Sequence, residues 1–160
     1  MIVLGLDPGL ASTGFGLIEF KKKILKVINY GCILTQQRES PTQRLKKIYQ
    51  GIKKIIKKYQ PDLIVLEELF FAKNTKTAIK VGQARGVAIL ACSEAKCPIK
   101  EITPLQVKTS LTGYGRATKK QIQRIVKLRL KLKEIPKPDD AADALALAIS
   151  GFKLFKKYEI

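Results

Sequence analysis

The chain has 160 residues, 46% apolar and 28% charged, which suits one globular domain, residues 1–160, with a sizeable core and leaves no room for a second of ordinary size. Thirty-one lysines and arginines oppose 13 acids, and this formal charge of +18 favours polyanionic partners, nucleic acid foremost, although a basic solubility surface would carry the same excess. With no histidine present, a Ser-His-Asp triad, a Cys-His pair and histidine-ligated metals are all excluded, so hydrolysis must run on carboxylates, lysines or hydroxyls.

Ile2 to Leu6 form an apolar run that stops at Asp7-Pro8-Gly9, the pattern of a buried strand reaching a turn. Thr13 to Phe20 and Ile24 to Leu34 are β-type runs separated by Lys21-Lys22-Lys23, which predicts an antiparallel meander. Ser40-Pro41-Thr42-Gln43 is a capping box with proline at the first helical position. It opens an amphipathic helix with Leu45, Ile48, Tyr49, Ile52, Ile55, Ile56 and Tyr59 at helical spacing. The lysines on its other face read as solvated surface.

Pro61 ends that helix, and Leu63 to Leu66 predict a second buried strand that meets acid, Glu67-Glu68, at its end. Asn74 can cap a helix running to about Lys96. Its small residues Ala78, Gly82, Gly86 and Ala88 suit either a tight core contact or a dimer face. Ile99 to Ile102 are a brief strand, and Thr103-Pro104-Leu105-Gln106 caps a short helix that ends near Gly113. A turn, Gly113-Tyr114-Gly115-Arg116, precedes a third cap at Thr118 to Gln121. The helix that follows carries Lys119, Lys120, Arg124, Lys127, Arg129, Lys131 and Lys133, the densest basic charge in the chain. Pro136 and Pro138 interrupt the pattern before a final alanine-rich helix, Asp139 to Phe155.

Cys32, Cys92 and Cys97 form no C-x-x-C pair, against a disulfide framework or zinc site, and they suit a reducing cytoplasm. No leader-like segment and no apolar run of about eighteen residues occurs, so neither a signal peptide nor a membrane span is expected.

Asp140 and Asp143 fall in the first turn of the last helix, where side chains three apart emerge on one face about 5–6 Å from each other. Acids there ordinarily cap the helix or meet its dipole. Asp7 and Glu67, however, each follow an apolar strand, where an ionised carboxylate is costly unless a cation compensates it. Four such acids in a strongly basic chain point to a divalent-metal site. Hard oxygen donors select Mg²⁺, with Mn²⁺ able to substitute, and two such ions about 3.5–4 Å apart can drive phosphodiester cleavage. Asp7 is then the natural bridging ligand, with Glu67 on one ion and the Asp140/Asp143 pair completing the set.

The segments GLDPGLASTGFG (5–16), LEELFFAKN (66–74), ITPLQVK (102–108) and DDAADALALAI (139–149) together resemble the ordered motifs of the RuvC family of Holliday-junction resolvases. The resemblance implies an α/β ribonuclease H-like fold, with a five-stranded mixed sheet flanked by helices. It also implies a homodimer that places paired nicks in a four-way DNA junction, leaving 5′-phosphate and 3′-hydroxyl ends. The family's catalytic acids fall on Asp7, Glu67, Asp140 and Asp143, its base-stacking aromatic on Phe70, and its functional lysines on Lys108 and Lys119. Lys73, Asn74 and Arg116 are expected as further DNA contacts, and a branch-migration helicase of the RuvA/RuvB type as a partner. Phe70 and Phe71 also suit core filling, since adjacent strand residues face opposite ways. Two acid doublets, Glu67-Glu68 and Asp139-Asp140, leave the ligand set open on pattern alone, because a buried strand does not reveal its face. Other readings are a related nuclease trimming ribosomal RNA precursors, a non-catalytic nucleic-acid-binding module and, weakest, an actin-like ATPase, for which 160 residues are too few.

Overall fold

The computed structural model describes residues 1–68 and 75–155. Its elements run β1 (Ile2–Asp7), β2 (Ser12–Lys21), β3 (Ile24–Leu34), α1 (Pro41–Tyr59), β4 (Leu63–Glu67), α2 (Thr75–Ser93), β5 (Ile99–Ile102), α3 (Pro104–Thr112), α4 (Lys119–Arg129) and α5 (Asp139–Phe155). The strands form one five-stranded sheet in the order β3-β2-β1-β4-β5. The first three strands are an antiparallel meander, whereas β1/β4 and β4/β5 pair in parallel. The sheet is therefore mixed, as expected.

The helix starts follow their local chemistry. Ser40, Thr103 and Thr118 each accept from the backbone N–H three residues on while a glutamine at that position reaches back to the cap, giving three complete capping boxes. Gly113 closes α3 at φ 75°, a left-handed conformation that glycine adopts without a side-chain penalty. One expectation needs correction. Helix α4 stops at Arg129, with Leu130 capping it, so Lys131 and Lys133 lie beyond the helix and do not extend its basic face. Lys131 has φ 51°, a left-handed turn that the charge pattern did not announce.

The sheet separates two cores. Leu4, Leu6, Leu17, Ile64 and Leu66 pack with Ile48 and Ile52 of α1 and Ala84 and Ala88 of α2 on one face. On the other, Val3, Ile18, Leu63 and Val65 meet α3, α4 and the apolar helix α5. Strand alternation then assigns the polar ends. Val3, Gly5 and Asp7 share the α5 face of β1, as Leu63, Val65 and Glu67 share that of β4.

Helix α5 reaches the sheet through missing side chains. A Cβ at Gly5 would lie 2.0 Å from the Ala144 carbonyl oxygen, and one at Gly14 would lie 2.1 Å from that of Asp140. Gly14 is the register partner of Asp7 across β1 and β2. The close approach thus sets the first turn of α5 directly beside the end of β1. Among the small residues of α2, Ala88 is fully buried, while nothing lies within 4 Å of where a Cβ would stand at Gly82 or Gly86.

Candidate active site

Among the described residues, Asp7, Asp140 and Asp143 bring one carboxylate oxygen each to within 4.8 Å of one another. Glu67 stands outside this closest group but lines the same cleft, of about 220 Å³, together with Asp7, Asp143, Lys108, Lys119, Pro104 and Ile122. Strand ends, one helix start and the α3/α4 pair therefore converge from four separate stretches of chain. Each doublet splits. Glu67 is half-buried and Glu68 exposed. Asp140 joins the acid group, whereas Asp139 accepts from Gln123 Nε2 at 3.2 Å and faces Lys119 Nζ at 3.4 Å, tying α5 to α4.

The electrostatics follow from this crowding. Burial, then Glu67, Asp143 and Asp140 in turn, push the Asp7 carboxyl up to about 7 against the opposing charge of Lys119. Glu67 is raised by burial and by Asp143, with Arg85 and Lys119 opposing. Asp143 is raised by burial while its hydrogen bond to Lys119 pulls it back. Acids so strained against one another form a cavity of excess negative charge, and a divalent cation is the species that would relieve it. The donor set is all oxygen, which fits a hard dication.

Of the expected DNA-contacting residues, Lys108 is half-buried in the cleft wall and Lys119 lies within it. Arg116 is exposed on the turn between α3 and α4. Phe70, Phe71, Lys73 and Asn74 lie outside the described residues. Arg85 of α2 had drawn no attention in the sequence. Its guanidinium donates to the Glu67 carbonyl and pairs with Glu101 of β5, so it braces the ends of two parallel strands beneath the acid. Gln123, 8% exposed, is similarly unannounced. A single polar residue within a helix leaves no periodic trace, and its partners are distant in sequence.

Fold and acids together define a ribonuclease H-like α/β protein with a candidate divalent-metal centre. The description of one family, "Crossover junction endodeoxyribonuclease RuvC", matches residues 3–151. A protein of that name from Desulforamulus reducens is 57% identical over 149 residues, covering 93% of this chain and 91% of its own. The structure of Thermus thermophilus RuvC superposes with a TM-score of 0.91 at 31% identity, over 99% of this chain and 97% of that one. The same protein in complex with a Holliday junction substrate gives 0.89 at 28% identity, over 98% and 96%. The chain belongs to the RuvC family of crossover junction endodeoxyribonucleases.

Proposed function

We propose that this protein resolves four-way DNA junctions by metal-dependent hydrolysis of one phosphodiester in each of two strands. The observation that carries the reading is the convergence of Asp7, Asp140 and Asp143 to within 4.8 Å in a chain of net charge +18. That juxtaposition is costly for folding and useful for holding cations. The similarity to a T. thermophilus RuvC in complex with a Holliday junction substrate supports the choice of DNA.

Asp7, Glu67, Asp140 and Asp143 would hold two Mg²⁺ ions, with Mn²⁺ able to replace them. Bound there, the ions supply charge to activate water and stabilise the leaving 3′ oxygen. The chain does the rest. Asp7, at the end of β1 in the cleft lining, would be the carboxylate shared by both ions. Asp140 and Asp143 leave one face of a helix locked against that strand. Lys108, Arg116 and Lys119 on the α3/α4 wall would meet phosphates, fixing the strand without reading its bases. Phe70 would stack on an exposed base, and Lys73 and Asn74 would contact the DNA. Cleavage leaves 5′-phosphate and 3′-hydroxyl ends.

Residues 1–160 act as a single nuclease domain, and paired nicks require two copies. Exposed Ile79 and Leu90 flank open Gly82 and Gly86 on α2, a low-charge stripe suited to a homodimer contact. A branch-migration helicase would deliver the substrate in the cytoplasm, and no helix among the described residues is long and apolar enough to cross a membrane.

The test is incubation of the protein with a synthetic four-way junction and Mg²⁺, alongside linear duplex, structured RNA and a metal-free control. Symmetric nicks in the junction alone are expected. Preferential cutting of RNA would reassign the substrate, and no metal-dependent nicking of any substrate would overturn the enzymatic reading.

A further inference from the structure

The acid cluster contains a cation of the chain's own. Lys119 Nζ lies 2.9 Å from Asp143 Oδ2 and 3.4 Å from Asp139 Oδ2. Asp143 is thereby claimed twice, by the ammonium and by the carboxylate group suited to a metal ion. We propose that Lys119 is an internal counterion that competes with the divalent cation for Asp143 and is released toward a DNA phosphate when the metal enters. This inference rests on the metal-site reading above.

Three features support it. First, the root of the side chain is fixed. Lys119 is the first residue of α4, directly after the Thr118 capping box, and α4 is held by buried Ile122 and Val126 and by the Gln123–Asp139 hydrogen bond. Second, the tip is free to leave. The side chain is 52% exposed on a flexible four-carbon stem, so it can swing to solvent without disturbing the core. Third, the charges allow the exchange. Asp7, Glu67, Asp140 and Asp143 would neutralise two dications, which leaves the ammonium only the longer, exposed contact with Asp139 at the cleft rim. A phosphate is the group that such a charge would attract.

The exchange makes metal loading and strand binding mutually reinforcing. A phosphate that draws Lys119 outward clears Asp143 for the cation, and a cation on Asp143 frees Lys119 for the phosphate. By linkage, each ligand strengthens the other equally.

Mn²⁺ binding to the metal-free full chain, read from the loss of the free-ion electron paramagnetic resonance signal, tests this without any cleavage. Lys119→Met is expected to bind Mn²⁺ about threefold to tenfold more tightly than the native chain. Lys120→Met, an equal charge change on an exposed neighbour, should shift affinity by less than about twofold. Lys119→Arg, retaining the charge, should stay near native. Unchanged or weaker binding by Lys119→Met, or an equal gain in Lys120→Met, would overturn the inference while leaving the metal site intact. Should the native chain bind no Mn²⁺, or Asp7→Asn bind as well as native, the metal-site reading itself fails and this inference with it.

Discussion

The two faces of the sheet are built on opposite principles. Toward α1 and α2, strand β1 offers Leu4 and Leu6, and the core fills with large aliphatic side chains. Toward α5, the same strand offers Val3, Gly5 and Asp7, and the first half of the helix opposite is rich in alanine. One face gains stability from volume. The other gives up volume so that the helix backbone can reach the strand and carry its acids to Asp7. A face carrying the acid cluster and a face of packed aliphatics can thus share one strand, divided only by residue parity.

The sharpest way to break the comparison is Asp7→Asn. Cleavage should fall by at least about a thousandfold, measured by single-turnover nicking of a four-way junction. Stability should move the other way. A carboxyl raised from 3.8 to about 7 in the folded state favours folding fully below pH 3.8, and that contribution is lost as pH rises to about 7. Without metal, Asp7→Asn should therefore melt about 5–10 °C above native at pH 8, with the gap closing near pH 4.

Next come substitutions placed on each face. Leu4→Ala should cost about 2–5 kcal/mol by denaturant titration while leaving cleavage per folded molecule near native. Gly14→Ala should cost about 1–3 kcal/mol, because its Cβ must displace the start of α5. Cleavage should nonetheless drop about a hundredfold, since a small misplacement of catalytic groups is expensive. If Gly14→Ala cut normally, the close approach would have no catalytic importance.

Arg85 sharpens the comparison from behind the site. Arg85→Gln should weaken Mn²⁺ binding about tenfold by loosening Glu67, with partial recovery in Arg85→Lys. Equal Mn²⁺ binding in native and Arg85→Gln would make the arginine a purely structural brace.

The smallest effects separate two identical motifs. Ser40→Ala and Thr118→Ala each remove a capping hydroxyl and should each cost about 1 kcal/mol. Only Thr118→Ala should also slow cleavage, because its helix begins with Lys119. Similar cleavage rates for both would show that the root of Lys119 needs no such support.

Much of this organisation was legible in the residue order. The strands, the capping boxes and the bounds of α5 follow from short-range rules, and apolar runs ending in acid marked Asp7 and Glu67 as candidates. What remained hidden was long-range. Glu67 and Glu68 close a stretch buried on both faces, where apolar periodicity carries no parity; only the family resemblance favoured Glu67, and the β1/β4 register sets Glu67 on the face of β4 that continues that of Asp7. Asp139 and Asp140 were inseparable on pattern alone, where only the family resemblance favoured Asp140, and α4 supplies the partners of Asp139. Arg85 and Gln123 gave no local signal at all. The end of α4 was misjudged because its lysines continue past the turn at Lys131.

Asp7 belongs to the first strand, while Asp140 and Asp143 belong to the last helix described. A nascent polypeptide therefore cannot gather Asp7, Asp140 and Asp143 until residues 139–155 have emerged and docked on the sheet. Assembly of the acid cluster is thereby tied to completion of the fold.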